Sequence, residues 1–330
     1  MRLITFLTGE RETRAGVLLE NTIIALDYPT LLELLRDPDG LPKAQAAVHP
    51  NQSGPAYSAF ALGAGFPASL SEFPSTIMQT QGPVREEYTL NEVVILPPIP
   101  NPLTVRDFYA FEQHVKTARA SRGLDMMPEW YEVPTFYFTN NSELYGHDNP
   151  IPYPAGSHAL DFELEIACVI GQNGKDIPVE EAEHYIAGYT IMNDWSARDF
   201  QMTDMAIGLG PGKGKDFATS LGPVLVTPDE LVSRRTGQGA SERYNMPMIA
   251  RINGREVSRG NFNQIHYSFA QMIAYASRNA RIRIGDVLGS GTVGTGCILE
   301  LGTQVHPWLQ RDDEVELEIE GIGVLRNRII

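Results

Sequence analysis

The sequence predicts a β-rich α+β protein, with a smaller N-terminal α/β domain ahead of a larger mixed-sheet domain. Three observations carry this. Short apolar runs of strand length recur along the chain, and most are not followed by a helix, which argues against a doubly wound parallel sheet. The segment LPPIPNP, Leu96 to Pro102, holds four prolines, which remove backbone donors and fix φ, so it reads as a stiff connector. It divides residues 1–95 from 96–330; the alternative is a proline-rich turn inside one domain. Finally, 330 residues of which 42% are hydrophobic suffice to bury one large core or two smaller ones.

In chain order, residues 2–7, 16–19 and 22–26 read as short strands separated by turns, and 31–36 as a short helix. Residues 37–85 are rich in Pro, Gly, Ala and Ser and show no clear period. Beyond the connector the pattern predicts a helix over 105–121, closed by Gly123. Strands are expected at 135–139, 162–170 and 187–193, then at 223–226, 248–252, 286–288, 314–319 and 324–327. One longer helix fits 267–277.

Composition narrows the function. A formal net charge of −15 repels a phosphate backbone, so nucleic acid is not an expected partner. The acidity reads first as solubility; a cationic substrate or a metal site built from carboxylates would also account for part of it. The two cysteines, Cys168 and Cys297, form no CxxC pair and sit in apolar surroundings, so buried thiols in a reducing cytoplasm are expected. The opening MRLITFLTGE turns polar too soon for a secretion signal, and no run approaches the roughly 18 apolar residues of a membrane span.

The strongest local signal is DFELEIACVIG, from Asp161 to Gly171. Glu163 and Glu165 are two apart on an expected strand, so they share a face among apolar neighbours. Two acids held together near a core repel unless a proton or cation lies between them, and a hard divalent cation resolves the conflict. The other reading is a solvated strand face. In IMNDWSARDFQ, Asp194 ends a strand, where it is either a third oxygen ligand or the cap of the next helix. Arg198 and Gln201 then share a face if the chain turns helical. In DFYAFEQH, Asp107 and His114 are seven apart, about two helical turns, and Asp107 is alternatively a helix cap. The loop GLGPGKGKDFATS lacks the order of a nucleotide-binding loop, because Asp216 follows Lys215; it reads as a mobile flap bringing lysines over an anionic substrate. In GSGTVGTGCILELG, Thr292 and Glu300 stand among small residues that permit close approach.

Taken in order, DFYAFEQH, ELE, NDWSARDFQ, GKDFATS and GTVGTGCILELG resemble the fumarylacetoacetate hydrolase superfamily over about residues 102–328. The resemblance implies a mixed β-roll or sandwich catalytic domain and a homodimer. It implies that Glu163, Glu165 and Asp194 bind a divalent metal, with Asp107 as a fourth carboxylate. Mg²⁺ is the first expectation, Mn²⁺ or Ca²⁺ the alternatives. His114 matches the general base and Glu300 the acid that orients it. Arg198, Gln201 and Lys215 match groups that contact substrate or stabilise its oxyanion, and Lys215 and Thr219 also match positions around a second, structural cation. Tyr109, Thr292 and Arg122 match substrate contacts, with Arg119 the alternative to Arg122. Two departures touch substrate recognition: Met205 stands where the hydrolase has a tyrosine, and the loop between Thr292 and Glu300 is shorter.

The implied activity is hydrolysis of a carbon–carbon bond in an acylpyruvate or similar β-diketo acid, of the kind met in catabolism of aromatic compounds. The alternative keeps fold and metal but decarboxylates, tautomerises or hydrates an oxo-acid. A metal-binding scaffold without catalysis would be expected to have lost His114 and Glu300, and both are present.

Overall fold

In a computed structural model, the structure describes residues 1–49 and 85–330. Among these residues the largest sheet has twelve strands. Its central order is Arg2–Leu7, Thr219–Val226, Ile186–Asp194, Leu164–Ile170, Val287–Gly289, Val105–Phe108 and Phe136–Thr139. The N-terminal strands join at one end: Arg2–Leu7 pairs antiparallel with Thr219–Val226, with Leu3 opposite Leu225, so one hydrogen-bonded ladder runs across the proline-rich connector. A four-stranded sheet, Arg255–Asn261, Pro247–Ile252, Glu314–Ile319 and Gly323–Arg328, completes the framework.

Leu164–Ile170 is buried at every position because both of its faces are covered. Leu164, Ile166, Cys168 and Ile170 face a core shared with Met248, Ala250, Ile252, Val315, Leu317 and Ile319 of the four-stranded sheet. Ala167 and Val169 face the other way, into a second core with Leu31, Leu34, Leu35 and Ala44. The helix Leu31–Arg36 starts where Thr30 Oγ1 accepts the Leu32 N–H at 3.1 Å. The helix Phe269–Ser277 starts in a capping box made by Ser268 and Gln271.

Several elements differ from the sequence reading. The expected helix over 105–121 is a strand, Val105–Phe108, followed by a helix, Glu112–Ala120. The strand pairs in parallel with Val287–Gly289 and antiparallel with Phe136–Thr139, and this long-range pairing overrides the local pattern. A helix missing from the sequence reading covers Gly40–Val48. Residues 50–84 of the stretch read as aperiodic lie outside the described residues. No helix among the described residues is long and apolar enough to cross a membrane.

Candidate active site

Register places the carboxylates. Asp107 lies opposite Gly289, and Gly289 opposite Ala167 on the neighbouring strand. Two residues from Ala167 along that strand, Glu165 lies opposite Met192, itself two from Asp194. Alternation therefore puts Asp107, Glu165 and Asp194 on one face of the sheet. Glu163 immediately precedes the strand and donates its N–H to Asn193 Oδ1 at 2.9 Å. Gly289 leaves the space that the acids share. A Cβ there would lie 2.6 Å from Asp107 Oδ1, 2.8 Å from Met192 Sδ and 3.1 Å from Glu165 Oε2. One oxygen from each of Asp107, Glu163, Glu165 and Asp194 lies within 4.8 Å of the others, and all four residues are buried.

Cations and donors hold part of this charge. Lys215 Nζ sits between Glu163 Oε2 and Asp194 Oδ2, 2.6 Å from the latter. Arg198 Nη2 lies 2.8 Å from Glu163 Oε1 and 2.7 Å from Asp161 Oδ2. Tyr137 donates its hydroxyl to Asp194 Oδ2. Burial works against ionisation of Glu163, but Lys215 and Arg198 outweigh it and hold the carboxyl well below its usual range. For Asp107 and Glu165, burial and then their acidic neighbours push both well up. Asp194 is also raised, first by burial, which exceeds the help it receives from Lys215.

This donor set fits a divalent cation. Glu165 Oε2 and Asp194 Oδ1 are buried oxygens without a hydrogen-bond partner, and a buried orphan acceptor is costly unless something else satisfies it. All four donors are hard carboxylate oxygens, as Mg²⁺, Mn²⁺ or Ca²⁺ prefer. Asp107, Glu163, Glu165 and Asp194 are the residues that would hold the ion.

Beside the carboxylates stands a dyad. His114, on the helix Glu112–Ala120, pairs through Nδ1 with Glu300 Oε1, from the short helix Ile298–Leu301. The Thr295 N–H holds the other Glu300 oxygen at 3.0 Å. Tyr109 packs edge-on to the imidazole, with ring centroids 5.3 Å apart, and burial pushes its hydroxyl up to about 12. His114 lies near enough to Glu163 for a positive imidazole to favour that carboxylate.

The remaining candidates gather around the same centre. Gln201 Oε1 accepts from Arg198 Nη1 at 3.0 Å. Thr292 donates to Glu165 Oε1 at 3.3 Å. Arg122 is exposed, with Nε bonded to the Ala118 carbonyl, yet its charge reaches the Tyr109 hydroxyl. Arg119 instead turns to the Asp125 carbonyl.

Residues 104–330 match the family model described as fumarylacetoacetate (FAA) hydrolase C-terminal. The chain belongs to the fumarylacetoacetate hydrolase family. It is 34% identical over 190 residues to the mitochondrial oxaloacetate tautomerase of Homo sapiens, a match that spans 57% of this chain and 56% of that protein. It is 31% identical over 275 residues to a fumarylacetoacetase of Oryza sativa subsp. japonica, spanning 66% and 64%. The fold is shared over 100% of this chain and 99% of a fumarylacetoacetate hydrolase from the psychrophile Exiguobacterium antarcticum, with a TM-score of 0.68 and 22% identity. A fumarylpyruvate hydrolase from Pseudomonas aeruginosa, solved with Mn²⁺ and pyruvate, superposes with a TM-score of 0.57 at 22% identity over 72% of this chain and 91% of that one. As in these structures, the family's β-rich mixed architecture is the architecture seen here.

Within this family member, three local readings change. Asp107 is neither a helix cap nor on a helix with His114; it reaches the centre from a strand, and the chain bends before the helix begins. Asp194 does not cap the following helix, whose N-cap is Ala197; its carboxylate is held by Lys215 and Tyr137. Gly208–Ser220 is not one continuous flap. Gly208, Leu209, Gly212 and Lys213 are exposed, but Lys215 is buried and Thr219 opens a buried strand. Gly214 allows this, since a Cβ there would come within 2.5 Å of Gln201 Cβ.

Two residues escaped the sequence reading. Tyr137, in the strand Phe136–Thr139, looks like an ordinary aromatic strand residue until the fold brings it to Asp194. Asp161 accepts the backbone N–H groups of Ile298 at 2.8 Å and Leu299 at 3.0 Å while pairing with Arg198, so it ties the turn carrying Glu300 to the arginine. Its place at the head of DFELE was the only available signal.

Proposed function

We propose that this protein is a divalent-metal-dependent hydrolase that cleaves a carbon–carbon bond in an acylpyruvate or related β-diketo acid. The observation that carries the reading is the His114–Glu300 pair set beside four buried carboxylates. With Nδ1 bonded to Glu300, the ring nitrogen that takes a proton from water is Nε2. Glu300 fixes that tautomer and stabilises the imidazolium that forms, the same division of labour as in a serine-protease triad. The hydroxide adds to the acyl carbonyl carbon, the bond to the pyruvate methylene breaks, and the leaving enolate takes its proton from His114. A bound divalent cation supplies Lewis acidity toward the oxo-acid oxygens and the developing enolate charge.

Lys215 and Arg198 keep Glu163 ionised, and Lys215 fixes the Asp194 carboxylate in position. Because the Gln201 carbonyl is committed to Arg198, its amide N–H groups remain for the oxyanion. Tyr109, Thr292 and Arg122 contact the substrate in this reading. Mg²⁺ is the proposed native ion; the Mn²⁺ bound by the Pseudomonas enzyme supports a divalent cation in general. The proposed working form is a cytoplasmic homodimer.

The identity to an oxaloacetate tautomerase favours a second reading, in which the same histidine shuttles a proton between carbon and oxygen of an enolisable oxo-acid. The test is to incubate protein and Mg²⁺ with acetylpyruvate and, separately, with enol-oxaloacetate. Release of pyruvate and acetate supports the hydrolase; accelerated ketonisation without acylpyruvate cleavage transfers the assignment to the tautomerase.

A further inference from the structure

His114, Cys297 and Glu300 form a second cluster with different chemistry. A ring nitrogen, a thiol sulfur and a carboxylate oxygen lie within 4.8 Å of one another, separate from the four-carboxylate group. Cys297 Sγ is 3.7 Å from Glu300 Oε1, the same oxygen that meets His114 Nδ1. From ordinary zinc–sulfur and zinc–oxygen lengths, the sulfur–oxygen edge of a tetrahedral zinc site is about 3.6 Å. The sulfur–oxygen spacing therefore already suits such a site, and the hydrogen-bonded His–Glu pair has to part to admit the ion.

We propose that His114, Cys297 and Glu300 form an inhibitory site for a thiophilic divalent cation, with Zn²⁺ as the ion the donors suit best. Nitrogen, sulfur and carboxylate oxygen together are a zinc donor set, and a fourth position is left for water. The ion takes the place of the proton between His114 Nδ1 and Glu300, that proton moves to Nε2 so the ring stays neutral, and Cys297 gives up its proton to solvent, so binding releases one proton and no atom changes oxidation state. Mg²⁺ prefers oxygen donors and does not seek the Cys297 sulfur. A soft cation deprotonates a coordinating thiol outright. Selectivity follows: the oxygen site takes the hard activating ion, and the mixed site takes the soft one. His114 keeps 6% of its side-chain exposure, so the cluster is not wholly sealed from solvent. Inhibition, unlike binding, rests on the reading of His114 as the base.

The test begins with protein saturated with Mg²⁺, so that the carboxylate site is filled. Cd²⁺ is titrated in and the ultraviolet thiolate-to-cadmium charge-transfer band recorded; Zn²⁺ is then added to displace it. The parent protein and Cys168→Ala should show a band that saturates at a single equivalent, whereas Cys297→Ser and Cys297→Ala should show none. In the activity assay, Zn²⁺ should inhibit the parent, and Cys297→Ser should raise the inhibitory concentration at least about tenfold, the lower end of what weakening a metal site's surroundings costs. No band in the parent, or a band that survives both Cys297 variants, overturns the site. If acylpyruvates are not cleaved, the hydrolase reading fails, while the cadmium band still decides this one.

Discussion

Replacing Lys215 with methionine tests whether the centre is held together by charge. The ammonium is 4% exposed and lies between carboxylates that are 7% and 0% exposed. Methionine keeps much of the volume and removes the charge. Breaking a buried ion pair from one side costs about 3–5 kcal/mol, because the partner's charge stays buried. Arg198 still holds Glu163, which favours the lower end of that range. For a chain of this size each kcal/mol moves the melting temperature by about 2 °C, so the expected drop is about 6–10 °C. Lys213→Met is the control: Lys213 is 71% exposed and pairs with Asp216 at 3.0 Å. Exposed pairs are worth less than about 1 kcal/mol, so its melting temperature should move by about 2 °C at most. Thermal unfolding of both variants with a chelator, and again with Mg²⁺, is the assay. Mg²⁺ should recover part of the Lys215→Met loss, since an ion that binds the folded state stabilises it. Equal shifts for the two lysine variants in chelator would refute the argument.

Other outcomes follow from the same geometry. Glu165→Gln should weaken Mg²⁺ binding, measured by calorimetry, by more than the roughly 10–100-fold cost of disturbing a metal's outer shell. Its fold should survive, because the change relieves repulsion with Asp107. His114→Ala should lower acetylpyruvate cleavage by about 10²–10⁴-fold, the usual worth of a positioned base, without altering Mg²⁺ affinity; Glu300→Gln should cost less, and a parent-like His114→Ala rate would remove the base assignment. Asp161→Asn should destabilise the protein by about 3 kcal/mol, the lower end for a buried ion pair broken from one side, because Glu163 still pairs with Arg198. It should also lower kcat although Asp161 meets no substrate, because the Ile298 and Leu299 N–H groups that position the Glu300 helix lose their carboxylate. An unchanged kcat would show that Glu300 is placed without it.

The sequence alone determined the residues that matter because their chemistry is written in short local patterns. Two glutamates with period two among apolar neighbours call for a cation or a proton once that face is buried; the strand expected at 162–170 runs Leu164–Ile170, buried throughout, with Glu163 just ahead of it. The helices at Leu31–Arg36 and Phe269–Ser277 were legible for the same reason, through apolar patterning and capping residues that act within a few positions. What the sequence alone did not determine is which residues meet. Asp107 joins the centre only because a parallel ladder aligns it with Gly289, some 180 residues later. Glu300 reaches His114 across 186 residues and Tyr137 reaches Asp194 across 57, while Cys297, already three residues from Glu300 in sequence, is brought to His114 with it. Lys215 was read as part of a flap because glycine-rich polar sequence favours a mobile loop. The tertiary structure buries it, because two carboxylates placed there by neighbouring strands need a cation, and that electrostatic requirement exists only once the strands have come together.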